Sequence, residues 1–207
     1  MRANWQKKKM MRDQKYHNDY TVFINNLLTK GYAVKIPSNY LRNDTGKVWY
    51  LPHHAVYHPM KPNKIRVVFD CSASYEGTAL NDRLLQGPDL TNTLLGVLTR
   101  FRQDSVAFMG DIESMFPQVR VSREHHDFLR FMWWPNGDLS QDLEEYCMVV
   151  HLFGATSSPS IANFALRRPA DDTAIAFESQ VSNSIKRNFY VDDCLKSISL
   201  QQPKLLN

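Results

Sequence analysis

The sequence predicts an α+β fold in which helices pack on antiparallel sheet, and three observations carry that expectation. Apolar residues recur at three- and four-residue intervals in two stretches, Tyr20, Phe23, Ile24, Leu27 and Leu28, then Leu90, Leu94, Leu95, Val97, Leu98 and Phe101. That is the spacing of amphipathic helices. Residues 128–134 and 145–150 are short apolar runs on either side of a polar turn containing Asn136-Gly137-Asp138, the pattern of a hairpin with a long loop. Finally, Asn188-Phe189-Tyr190-Val191-Asp192-Asp193-Cys194-Leu195 runs apolar residues into two adjacent carboxylates and out again, which reads as strand, tight turn and returning strand.

Taken in order, a helix from Tyr16 closes near Gly31, residues 32–36 form a short strand stopped by Pro37, and residues 38–47 form a polar loop. The loop separates a basic arm and helical extension, residues 1–47, from the main body, residues 48–207. Residues 48–51 and 55–58 read as strand pieces, and the turn at 59–64 leads into a strand at 65–69. Alternation then sets Lys64 and Arg66 on one face near that turn. His53, His54 and His58 do not read as a metal site, because they lack the partners of a zinc site and the flanking Pro52 and Pro59 suggest a loop around the strand piece. Asp89 or Thr91 caps a helix through about Arg102, and Ser122 caps a helix that starts at the surface residues His125-His126. Thr156-Ser157-Ser158-Pro159 is a helix start, with helices at 160–168 and about 172–186. Trp133 and Trp134 are core residues first and base-stacking platforms second.

Composition narrows the class. The 207 residues are 43% hydrophobic and 22% charged, the content of an ordinary globule of one domain or two small lobes. No run approaches the roughly 18 apolar residues of a membrane helix, and the N-terminus lacks a secretory leader's apolar run. An intracellular chain with no membrane partner is expected, in a cytoplasmic particle or the nucleus. Cys71, Cys147 and Cys194 are odd in number and far apart, which favours reduced thiols. The net charge of +4 favours an anionic partner. Arg2, Lys7, Lys8, Lys9, Arg12 and Lys15 crowd the start of the chain; such a run reads first as a solvated arm and second as a phosphate-screening segment.

The acids carry the chemistry. In a strand, adjacent aspartates point to opposite faces, and one would enter the core as an unpaired charge. A turn that offers both to a divalent cation removes that cost, and magnesium favours a few hard oxygen ligands together with phosphate oxygens. A third acid, Asp111, ends the apolar run Val106-Ala107-Phe108-Met109-Gly110 far upstream. If the fold joins them, three carboxylates can hold two ions about 4 Å apart, an arrangement suited to in-line phosphoryl displacement.

The order of blocks is more specific than any one of them. Lys64-Ile65-Arg66-Val67-Val68-Phe69-Asp70, Leu80-Asn81, the tract around Asp111, His151-Leu152-Phe153-Gly154-Ala155-Thr156-Ser157-Ser158-Pro159 and Tyr190-Val191-Asp192-Asp193 follow one another. From about Tyr50 to Ser197 the chain resembles a reverse transcriptase, most closely the type encoded by Pao/BEL long-terminal-repeat retrotransposons. The resemblance implies a polymerase fingers-and-palm architecture truncated before the thumb, and an RNA-directed DNA polymerase using two Mg2+ ions, with Mn2+ as a substitute.

It implies that Asp111, Asp192 and Asp193 are the metal-binding and catalytic acids, with Ile112 beside Asp111 as a further metal position. Phe116 matches the aromatic that closes the sugar site against a ribose 2′-hydroxyl. Lys64 and Arg66 match basic residues that contact the incoming triphosphate, and Phe153 and Gly154 match the segment lining the nucleotide and template pocket. Implied partners are an RNA or DNA template with primer, deoxynucleoside triphosphates, and the remaining polyprotein domains (thumb, ribonuclease H, protease and integrase). The chain is expected to be a fragment of such a polyprotein. The alternative is a non-catalytic nucleic-acid-binding remnant.

Overall fold

The computed structural model describes residues 2–37, 47–172 and 179–199. In chain order these form α1 (Arg2–Arg12), α2 (Gln14–Thr29), β1 (Ala33–Lys35), β2 (His53–His58), β3 (Lys61–Phe69), α3 (Leu94–Phe101), β4 (Val106–Asp111), β5 (Arg130–Trp133), β6 (Glu144–Met148), α4 (Ser158–Asp172), α5 (Ser179–Arg187), β7 (Phe189–Tyr190) and β8 (Asp193–Ile198). The chain divides into two compact units. The first comprises residues 1–85 and 116–158, the second residues 86–115 and 159–207.

In the first unit, residues 2–12 are helical, where a solvated arm was the leading expectation. Gln6 and Met10 are buried, so the basic run has an inner face to fold on. Asp13 ends α1 and caps α2, its carboxylate accepting the Tyr16 N–H at 2.9 Å. Tyr16, Tyr20 and Ile24 recur every fourth residue and are buried. Gly31, at φ +66, closes α2: its N–H bonds the Leu28 carbonyl while the Tyr32 N–H bonds that of Leu27. These paired bonds satisfy carbonyls that the helix itself leaves open.

One antiparallel sheet has the order β1-β6-β5, and β2 and β3 form a separate hairpin. Residues 48–51 contribute only a single bridge, Tyr50 to Arg130, because the chain turns at Pro52 into β2. The strand expected at 55–58 is β2, and it begins two residues earlier, so that His53 and His54 lie in the strand and not in a loop after Pro52. β3 begins at Lys61, so Lys64 lies within the strand and not at its turn. Lys64 and Arg66 are both exposed, as their alternation requires.

Trp133 is fully buried and Trp134 nearly so, with the Trp133 ring 4.9 Å from that of Tyr20. They are core side chains and offer no platform to bases. Beside them Arg130, with 5% of its side chain exposed, binds Asp127 at 2.7 Å and Glu145 at 2.9 Å. Tyr50 donates to the same Glu145 carboxylate.

His53 belongs to this core. Part of its surface is accessible, yet both ring nitrogens are turned inward, and their enclosure governs protonation. The Met132 carbonyl can only accept, so Nε2 donates to it at 2.9 Å. Nδ1 then accepts from the Tyr20 hydroxyl. Burial pushes the imidazole down to about 4. A base whose folded pKa is depressed stabilises the fold fully above its unfolded value near 6.5. That stability drains away as pH falls towards the folded value. Urea denaturation should accordingly show a loss of about 3 kcal/mol between pH 6.5 and 4. His53→Gln should flatten that segment of the profile, and an unchanged slope would show that other groups cause it.

The second unit holds the antiparallel sheet β4-β8-β7. α3 starts later than expected because Asp89 spends its carboxylate on the Thr91 N–H at 2.9 Å, forming a local turn. Thr93 is the cap instead, accepting from the Gly96 N–H. α4 begins at Ser158 with Pro159 in its first turn and runs on to Asp172, beyond the expected 168. The last helix is described from Ser179 to Arg187; the expected start near 172 is followed by residues 173–178, which lie outside the described residues.

Candidate metal centre

β4 and β8 bring the acids together. Their register pairs Gly110 with Cys194 and Asp111 with Asp193, so the last residue of one strand faces the first of the other. Tyr190 pairs with Asp193 across the β7–β8 hairpin, which leaves Val191 and Asp192 as a two-residue turn. The Ile112 N–H donates to the Asp192 carbonyl at 3.0 Å, fastening the turn to the end of β4. Asp111, Asp192 and Asp193 can each supply an oxygen such that all three lie within 4.8 Å of one another. Asp111 and Asp193 are exposed and Asp192 is half-buried.

Carboxylates directly opposite one another weaken a sheet, and a divalent cation between them reverses the sign of that interaction. The donor set suits a hard ion. It is all oxygen, it faces solvent so that the ion keeps waters, and it leaves ligand positions for phosphate oxygens. Glu113 is exposed and is not one of the three grouped acids.

The turn is strained. Val191 sits at φ +57, a region that a β-branched side chain rarely occupies and that favours glycine at the first position of such a turn. Strain of this kind costs about 1 to 3 kcal/mol and collects at functional sites. Val191→Gly should raise the urea-unfolding stability by about 1 kcal/mol, after the larger unfolded-state entropy of glycine offsets part of the relief. A drop would show that side-chain packing at Val191 outweighs the strain.

Two asparagines that the sequence reading assigned no role position the hairpin. Asn188, buried at the foot of β7, donates through Nδ2 to the Leu195 carbonyl at 3.1 Å, and the Leu195 N–H returns a bond to the Asn188 carbonyl at 2.8 Å. Asn92 donates to the Lys186 and Phe189 carbonyls at 3.0 and 2.8 Å, tying the approach to α3 to the end of α5 and to β7. A buried asparagine beside a strand was the available signal for the first. Asn92 offered none, because its partners are backbone atoms distant in sequence.

The other expected site residues, Lys64, Arg66, Phe116, Phe153 and Gly154, all belong to the first unit. Lys64 and Arg66 project from β3. Phe116 is 9% exposed and meets the Phe153 ring edge-on at 4.5 Å, while Phe153 itself is 59% exposed. Gly154 adopts φ +98, and a Cβ there would lie 3.2 Å from the Phe69 carbonyl oxygen. Both conditions favour glycine. Asn81 holds the segment: its Nδ2 donates to the Gly154 carbonyl at 2.9 Å and its Oδ1 accepts the Thr156 N–H at 3.0 Å.

These elements together define a chain of retroviral reverse-transcriptase-like fold, α+β and of the fingers-and-palm kind. It is similar to the foamy viral protease-reverse transcriptase dRH in complex with double-stranded DNA, at TM-score 0.61 and 20% identity, covering 90% of this chain and 27% of that one. The foamy viral protease-reverse transcriptase in complex with double-stranded DNA gives TM-score 0.60 at 19% identity, covering 90% of this chain and 32% of that one. Its complex with RNA/DNA hybrid gives TM-score 0.56 at 19% identity, covering 85% and 19%. The chain thus spans about a third or less of the length of these structures. No protein-family model matches the sequence, and no curated protein does. Among the described residues, no helix is long and apolar enough to cross a membrane.

Proposed function

We propose that this chain is the fingers-and-palm portion of an RNA-directed DNA polymerase, of the Pao/BEL retrotransposon type, acting within a cell as part of a polyprotein. In that reading residues 48–207 carry the polymerase fold and residues 1–47 an extension. The observation that carries the proposal is the convergence of Asp111, Asp192 and Asp193 within 4.8 Å of one another at paired strand ends.

Asp111, Asp192 and Asp193, with the Ile112 backbone beside them, would hold two magnesium ions, or manganese. Bound there, the ions supply Lewis-acid stabilisation of the attacking and leaving oxygens in nucleotidyl transfer. The rest falls to the chain's own groups. The Ile112 N–H pins the turn, so that the carboxylates keep their spacing as charge develops. Lys64 and Arg66 offer cations to a triphosphate, Arg66 as a forked, permanently charged donor. Phe116, packed edge-on against Phe153, would exclude a 2′-hydroxyl and so favour deoxynucleotides. Gly154 permits the close backbone approach that a nucleotide pocket needs. The partners in this reading are a primed RNA or DNA template and deoxynucleoside triphosphates, followed by the other polyprotein domains.

The test combines Mn2+ titration by calorimetry with primer extension on an RNA template. Metal binding together with metal-dependent incorporation supports the proposal. Template binding without incorporation at any metal concentration, unchanged when a thumb segment is restored downstream, overturns the enzymatic reading in favour of a nucleic-acid-binding remnant.

A further inference from the structure

We propose that the outward face of α1 is a binding surface for single-stranded nucleic acid, with Lys8 and Arg12 taking phosphates and Trp5 stacking on an unpaired base. The inference goes beyond the metal chemistry above and stands on this helix alone. α1 carries Arg2, Lys7, Lys8, Lys9 and Arg12 and no acidic residue. Its buried pair, Gln6 and Met10, fixes which side faces inward. At 3.6 residues per turn, Lys8 and Arg12 fall on the opposite side, one turn apart and about 6 Å along the axis. Trp5 lies beside them on that side and is 61% exposed.

Of the other three cations, two are already engaged. Arg2 approaches Asp70 at 3.6 Å, and Lys9 lies over the rings of Tyr16 and Trp5, 3.9 and 5.5 Å from their centroids. The second contact steadies the indole. Lys8 and Arg12 are exposed and form no ion pair among the described residues.

A helix that merely solubilises has no use for an exposed indole, and a packing helix hides it, as the core hides Trp133. Cations interleaved with an accessible aromatic are the elements of a single-strand platform, since any unpaired base offers a π-face. A closed duplex offers phosphates without that face. A membrane-surface helix turns a continuous apolar stripe outward. Here the inward side holds Met10, and the exposed Trp5 and Met11 diverge around the axis.

The test is fluorescence anisotropy of a labelled oligothymidylate with the full chain in EDTA, across a salt series. Lys8→Gln with Arg12→Gln should weaken binding about 10-fold and reduce the log–log salt slope by about 1.4, the contribution of two phosphates on a single strand. Trp5→Ala should weaken it about 10-fold with the slope unchanged, whereas Trp5→Phe and Lys8→Arg should retain most of the affinity. Far-ultraviolet circular dichroism checks that the variants fold.

Affinities that stay within about twofold of the parent overturn the inference. So does a Trp5 dependence seen only with phosphatidylserine vesicles, which would reassign the face to membrane, or one equally large on duplex. Because EDTA removes the metals, the result is independent of whether the aspartates act in catalysis.

Discussion

Asp111→Asn is expected to reduce nucleotide incorporation by on the order of 10³-fold or more, in line with the loss of a preorganised electrostatic contact at the reacting centre. The fold should be no less stable. Asp111 faces Asp193 in the β4–β8 register, and asparagine keeps the shape while deleting one of two opposed charges. Relief of like-charge repulsion across a sheet is worth about 0.2 to 1 kcal/mol, so the urea midpoint in the absence of metal should hold or rise. In Mn2+ the order should reverse, because the parent gains stability from an ion that the variant holds weakly. Those opposed signs separate a ligand from a structural residue. A variant that incorporates nucleotides normally but unfolds more easily would place Asp111 in the scaffold.

The second large effect concerns stability alone. Arg130→Ala should cost about 3 to 5 kcal/mol, the usual result of removing one partner from a buried ion pair. Burial opposes the charged guanidinium, and the hydrogen bonds it donates to Asp127 and Glu145 outweigh that, raising the Arg130 pKa above its ordinary value. Without Arg130, Glu145 keeps its half-buried place with only Tyr50, among the described residues, donating to it through its side chain. Arg130→Met, which refills the volume, should lose less than the alanine variant. The buried Trp133 and Trp134 report unfolding through their fluorescence. A loss below about 1 kcal/mol, the scale of a surface pair, would show that water reaches Glu145 freely.

Elements governed by local chemistry were legible in the amino-acid order. Gly31 after an apolar stripe marked the end of α2, and the bonds from Gly31 and Tyr32 are the physical reason. Tyr190 to Asp193 marked a hairpin because two acids cannot continue a half-buried strand. Asp111 was noticeable as a carboxylate at the end of a β-prone run, though its encounter with Asp193 depends on a register that only the folded chain sets. Less legible were features decided by partners distant in sequence. His53 and His54 extend the strand legible at 55–58 because β3 offers them a ladder, and His53 is accommodated by Tyr20 and Met132. The basic run at the start folds as a helix because Gln6 and Met10 find cover, which charge counting does not reveal. α3 starts at Leu94 because Asp89 is taken up in a local turn and Thr93 is the cap, and both had the right chemistry for capping.

The pairing of Gly110 with Cys194 and Asp111 with Asp193 makes the centre sensitive to strand length as well as to residue type. Side chains along a strand alternate between faces, so a shift by a single position would send Asp111 to the far side of the sheet while every backbone bond found a new partner. Inserting or deleting one residue in β4 should therefore leave a folded sheet whose acids no longer share a face, whereas substitutions at the exposed Phe108 or Met109 should leave the spacing intact.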